Sequence, residues 1–230
     1  MFVLEGPKLL AEAVAAGVAV ESVYVAPGHQ VADELTTGAA RVYELAPGVM
    51  ERVADTVTPQ PVMAVVPYVD VPIDTVRDGT LLVVCVDVRD PGNAGTVLRS
   101  AEAAGADGVV CCAGAVDLYN PKTVRASAGS LFHVPVVVGG DPMTVLKQMG
   151  EWGLHRLGTV PRGGIDYATA DLTRPVAIVL GNEAHGLPDD VARGLDARIT
   201  VPMAGRAESL NVGMATAVLC FEAARQRRGA

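Results

Sequence analysis

The residue pattern predicts an α/β protein: a parallel sheet covered on both faces, preceded by a smaller α/β module. Three observations carry this. Continuous apolar runs such as 81–86 and 176–180 alternate with helical stretches, as strands buried on both faces do. The 230 residues are half apolar, with positive mean hydropathy, so there is ample core for a large folded unit. Residues 67–79 hold two prolines and four charges without a long apolar run, which reads as a break between modules. The modules are therefore set at 1–67 and 81–230, with a linker over 68–80.

Taken in order, residues 2–4 read as a strand. Leu9, Leu10, Ala13 and Val14 follow helical spacing over 8–16, closed by Gly17. Residues 20–25 alternate as a strand and Pro27-Gly28 breaks it. A weaker helix is expected over 31–35, a strand over 41–45 and a short helix over 49–55. A strand over 62–66 follows the prolines at 59 and 61. In the larger module, strands are expected over 81–86, 108–112, 134–138, 154–158, 176–180 and 198–201. Helices are expected over 95–104, 122–128, 142–149, 189–195 and 211–227. No internal repeat or low-complexity tract occurs.

Composition excludes several classes. The balance of 18 bases against 26 acids disfavours a polyanion ligand. Residues 1–67 carry three bases against eight acids. With five Tyr, three Phe and one Trp, an aromatic base-stacking platform is not expected. Cys85, Cys111, Cys112 and Cys220 form no CxxC pair and read as reduced core thiols rather than a disulfide or zinc site. No apolar run is long enough to span a bilayer, and no signal peptide pattern opens the chain, so a cytoplasmic protein is expected.

Three loops, each after an expected strand, carry the candidate chemistry. In open α/β sheets ligands bind at such carboxyl ends. Residues 87–99, with Pro91-Gly92-Asn93-Ala94-Gly95, feed a helix N-terminus, whose free N–H groups suit an anion. Arg99 could hold a phosphate there; the plainer reading is Asn capping a helix with Arg99 in solvent. Residues 180–188 place Gly181 and Gly186 around Asn182, Glu183 and His185, where a ligand can approach the backbone. A metal is not supported, because no third ligand has metal-site spacing. Residues 201–213 place Ser209 and Asn211 before the last helix, where either could be a plain N-cap. No GxGxxG, Walker loop, HExxH or GxSxG occurs.

Together these loops resemble the three signature motifs of the SpoU (TrmH-like) family of RNA ribose 2′-O-methyltransferases in the SPOUT superfamily. The pieces are DPGNAGTVLRSAEAAG, IVLGNEAHGLP and ITVPMAGRAESLNVGMATAVLCFEA, within 81–228. Residues 2–66 resemble the small L30e-like RNA-binding domain that often precedes the catalytic domain.

The resemblance implies a deep trefoil knot, which general topology rules would have excluded. It implies S-adenosylmethionine held by Thr159, Gly181, Asn182, Gly186, Val201, Met203 and Leu210, with no metal. It implies a catalytic set of Asn93, Arg99, Glu183, Ser209 and Asn211, all five of the expected type. A guanidinium stays protonated, so Arg99 is read as a phosphate clamp that stabilises a developing alkoxide, not as a base. Arg89, Lys122, Arg125, Arg162 and Arg206 are the expected RNA-facing cations. A homodimer acting on structured RNA is implied, ribosomal rather than transfer RNA. The basic segment that often precedes this domain is expected to be absent or missing from the sequence. The competing readings are a transfer-RNA enzyme, a non-catalytic RNA-binding module of the same fold, and an unrelated nucleotide-using enzyme.

Overall fold

The computed structural model describes residues 1–36, 38, 41–54 and 56–229. Two sheets form. The smaller contains β1 (Phe2–Glu5), β2 (Ser22–Val25), β3 (Arg41–Glu44) and β4 (Val62–Val66), in the order β1-β4-β2-β3. It is mixed: β4 runs antiparallel to both β1 and β2, and only β2 and β3 are parallel. Helix α1 (Pro7–Ala15) covers it, burying Leu9, Leu10 and Ala13, the residues with helical spacing. Helices α2 (Asp33–Thr36) and α3 (Val49–Val53) are single turns. The end of the helix expected over 49–55, at Asp55, lies outside the described residues.

The larger sheet has seven strands, all parallel. They are β5 (Leu81–Cys85), β6 (Gly108–Cys111), β7 (Val136–Val138), β8 (His155–Thr159), β9 (Ile165–Asp166), β10 (Val176–Leu180) and β11 (Ala197–Thr200). Their order is β7-β6-β5-β10-β8-β11-β9. Every residue of β5, β6 and β10 is buried, as continuous apolar runs require. Helices α4 (Pro91–Ala103), α5 (Pro121–Ser127), α6 (Pro142–Glu151), α7 (Asp189–Arg193) and α8 (Val212–Arg228) complete the fold.

Two elements differ from expectation. Helix α4 begins at Pro91, not Gly95. Asp90 caps it by accepting from Asn93 N at 2.9 Å, and Pro91 sits at the first helical position, where its missing N–H costs nothing. Asn93 is thus in the first turn and is not the cap. The two-residue β9 is too short to show a period in the sequence.

Residues 68–80 are packed rather than free. Val71 N donates to Val136 O on the edge strand β7, and a 3-10 turn spans Ile73–Val76. The two sheets share one apolar cluster, with Phe2 against Tyr119 at a ring-centroid distance of 4.7 Å. Glu5, buried at the end of β1, accepts from Thr56 and Gln60 and pairs with Arg125 of α5 at 3.4 Å. Glu12 of α1 meets His133 at 2.8 Å.

Candidate active site

Strand order reverses at β5 and β10: the chain leaves β5 towards β6 on one side, and β10 and β8 lie on the other. That crevice is where open α/β sheets bind ligands. The loops after β8, β10 and β11 and the first turn of α4 enclose a cleft of about 790 Å³ there, within the range of ligand pockets, ~300–1,000 Å³.

Glycines let these segments close on one another. A Cβ on Gly181 would collide with the Gly186 carbonyl, and Asn182 and Gly186 exchange two backbone hydrogen bonds of 2.9 Å. A Cβ on Gly213 would lie 2.6 Å from Thr96 Cγ2, so the first turn of α8 rests directly on α4.

That contact brings three polar side chains into one chain. Asn211 caps α8: its Oδ1 accepts from Gly213 N at 2.9 Å and Met214 N at 3.3 Å. Its Nδ2 must then point away, and it donates to Asn93 Oδ1 at 2.7 Å. Asn93 Nδ2 in turn donates to Glu183 Oε1 at 2.9 Å. Glu183 also accepts from Asp90 N at 3.1 Å and Arg89 N at 3.3 Å. Burial alone would push its carboxyl up. The donors from Asn93 and from the backbone of Glu183, Asp90 and Arg89 outweigh that and hold it below the ordinary range. Glu183 is therefore held as a carboxylate by the donors around it and acts as an orienting group.

The other expected residues divide. Thr159, Gly181, Asn182, Gly186, Val201, Met203 and Leu210 all line the cleft, as do Asn93, Glu183, Ser209 and Asn211. Asn182 spends its side chain on backbone, accepting from Ala184 N and His185 N of its own loop and donating to Asp87 O of the loop after β5. Arg99 is exposed on α4, outside the cleft lining, and its side chain has no ion pair or hydrogen bond among the described residues. It lies six residues beyond Asn93, ~9 Å along the helix.

The expected RNA-facing cations are mostly paired. Arg89 holds Asp87 at 2.6 Å, Lys122 holds Asp90 at 3.2 Å, and Arg125 is turned inward to Glu5. Arg206 is exposed, and Arg162 lines the cleft. Sequence reasoning missed Ile199, Ala215 and Leu219, which line the cleft with apolar surface; in the sequence they read only as core. It also gave no role to His185 and Glu208, which lie inside the quoted motifs and line the cleft. Among the described residues, no group of three or more His, Cys, Asp or Glu could hold a metal ion.

Residues 80–221 match the SpoU rRNA Methylase family. The chain belongs to that family. Residues 1–64 match the MRM3-like substrate binding domain. The SpoU chain is 35% identical over 221 residues to the 23S rRNA (guanosine(2553)-2′-O)-methyltransferase RlmP of Bacillus subtilis (strain 168), covering 96% of this chain and 87% of that protein. Its fold matches the SpoU methyltransferase AviRb from Streptomyces viridochromogenes, with a TM-score of 0.87, 31% identity and 99% and 90% of the two chains covered. It also matches an AdoMet-bound rRNA methyltransferase from Sinorhizobium meliloti, with a TM-score of 0.85, 34% identity and 98% and 87% covered.

Proposed function

We propose that this chain transfers a methyl group from S-adenosylmethionine to a ribose 2′-hydroxyl of ribosomal RNA. The observation that carries the reading is the hydrogen-bonded chain Glu183–Asn93–Asn211, which locks three motif loops around one cleft. The cleft suits the donor in size, in its apolar lining by Val201 and Leu210, and in the backbone opened by Gly181 and Gly186. Thr159, Gly181, Asn182, Gly186, Val201, Met203 and Leu210 would hold it. When bound, the donor supplies a methyl group on a sulfonium sulfur that departs with the bonding electron pair as a neutral thioether.

The protein's task is then placement. Fixing the hydroxyl in line with the carbon–sulfur bond can supply about 7–11 kcal/mol. Asn93, fixed on both sides, orients the target ribose; Glu183 and Asn211 position Asn93. Ser209 lines the same wall. Arg99, exposed and with no side-chain partner among the described residues, clamps a phosphate of the docked RNA and stabilises the 2′-oxygen as its proton leaves to water. Arg206 and Arg162 extend that positive rim; Arg89 and Lys122 contribute less, being paired to acids.

The same reading carries residues 1–67 as an L30e-like substrate-binding module, 68–80 as its connection and 81–230 as a knotted transfer domain. A crystal structure traced through 155–211 checks the threading. It also carries a cytoplasmic homodimer. Met214 and Phe221, seven residues apart on α8, stay 60% and 47% exposed, as a face covered by a second copy would. Sedimentation at micromolar concentration should give twice the chain mass, and Phe221→Glu should halve it.

The deciding experiment measures labelled methyl transfer to unmodified large-subunit rRNA, small-subunit rRNA and tRNA. Incorporation into rRNA that Arg99→Ala abolishes is expected. Incorporation only into tRNA would overturn the substrate, and none with any RNA would overturn the activity.

A further inference from the structure

Two of the chain's five tyrosines meet at the open edge of the small sheet. Tyr24 of β2 and Tyr43 of β3 are register partners. Their rings stack with centroids 5.4 Å apart and planes 18° apart. β3 is the last strand of that sheet, and all four of its residues are exposed. Tyr43 stays 41% exposed, and among the described residues its ring has no aromatic partner besides Tyr24. Such an offset pair extends naturally to a third ring. Arg41 projects from the same face of β3, two residues from Tyr43, with its guanidinium beside the Tyr43 hydroxyl and the Glu21 carboxylate.

The charge of this module narrows how it can hold RNA. With three bases against eight acids over residues 1–67, counterion release gives it little. Stacking of an unpaired base on an aromatic ring needs no net positive charge and tolerates any base. The small number of aromatic residues argues against a platform only until two of them are found stacked at one sheet edge, with half-buried Tyr24 backing exposed Tyr43.

We propose that the Tyr24–Tyr43 pair is a platform on which an unpaired nucleobase of the RNA substrate stacks, with Arg41 taking the adjoining phosphate. The proposal rests on the RNA methyltransferase reading above. A nucleotide is favoured over a protein strand because a ring stack and a neighbouring cation match a base and its phosphate, and because residues 1–64 match a substrate-binding domain.

The test uses the full chain with ring-labelled tyrosine, followed by NMR, and single-stranded hexaadenylate as probe, with a long, blunt, GC-rich RNA duplex as the comparison. The Tyr43 ring signals should move upfield with the single strand and not with the duplex. Tyr43→Ala should weaken hexamer binding roughly tenfold, while Tyr43→Trp and Tyr43→Phe keep it. Arg41→Ala should reduce the salt dependence of hexamer binding by about one released ion. Circular dichroism melting of Tyr43→Ala checks that the fold is intact. Unmoved ring signals, or equal binding by a folded Tyr43→Ala, would overturn the platform and leave this edge to a protein partner. Methyl transfer by the same wild-type sample separates the two readings: transfer with unmoved rings sinks only the platform.

Discussion

Asn211 Nδ2 donates to Asn93 Oδ1 at 2.7 Å, and this bond joins the cap of the last helix to the first turn of α4. The direction of every amide in the chain follows. The α8 N–H groups demand the Asn211 oxygen, which leaves its NH2 for the Asn93 oxygen, which leaves the Asn93 NH2 for Glu183. Reversing a polarity at one place should therefore be repairable at another. Asn93→Asp sets a second carboxylate against Glu183 and should lower kcat at least a hundredfold. Adding Glu183→Gln restores a donor facing Asp at 93, with its oxygen left to accept from Arg89 N, at the loss of the bond from Asp90 N. The double variant should recover at least tenfold over Asn93→Asp. Simple additivity of the two losses would refute the pairing.

The two jobs of Asn211 can be separated. Asn211→Ala removes both the cap and the bond to Asn93, and should cost about 1 kcal/mol of stability. Asn211→Ser keeps a capping oxygen but has no NH2 to reach Asn93. Its melting temperature should stay close to wild type while kcat falls as far as in the alanine variant. If Asn211→Ser retains activity, capping alone is what the site needs from this residue.

Arg125 read as an RNA contact in the sequence, and its place against Glu5 predicts a different phenotype. Glu5 is nearly buried between the two sheets, and removing its cation leaves that carboxylate, among the described residues, with Thr56 and Gln60. Arg125→Ala should lower stability by about 1–3 kcal/mol with RNA affinity nearly unchanged, and Glu5→Gln in the same chain should return part of the loss. A large drop in RNA affinity at unchanged stability would restore Arg125 to the RNA face.

How much of this was legible in the sequence depends on how local each signal was. The parallel sheet was legible because β5 and β10 are continuous apolar runs, which only strands covered on both faces tolerate. The insertion of β4 between β1 and β2 was not, since pairing between distant strands leaves no local mark. The start of α4 was written in Asp90-Pro91, a cap and a first helical residue, but the low helix propensity of Gly92 and Gly95 hid it. The residues of the Glu183–Asn93–Asn211 chain stood out through their motifs; their wiring is tertiary and depends on α8 resting on α4 at Gly213. Charge counting found the cations Arg89, Lys122 and Arg125 but not the acids that hold them. The Tyr24–Tyr43 stack was hidden for the same reason: composition counts rings and does not pair them.

Asp196 gives the pH prediction. Arg156 grips it with two side-chain bonds of 2.8 Å and a backbone N–H of 2.8 Å, tying β8 to the start of β11. Those bonds hold the Asp196 carboxyl down to about 2, with burial opposing and His155 adding a smaller pull. A carboxyl whose folded pKa is depressed contributes stability that is complete above its unfolded value, about 3.9. That contribution is lost as pH falls through the folded value. Wild-type stability should therefore decline between about pH 4 and pH 2, and Asp196→Asn should remove part of that decline. At pH 7 the variant should be weaker by about 1 kcal/mol, since solvent screens a partly exposed pair. Urea melts of both proteins at pH 7, 4 and 3 measure this, and parallel curves for the two across that range would refute it. Because β11 feeds the loop that carries Ser209 and Asn211, the variant should also lose methyl transfer at a lower urea concentration than wild type.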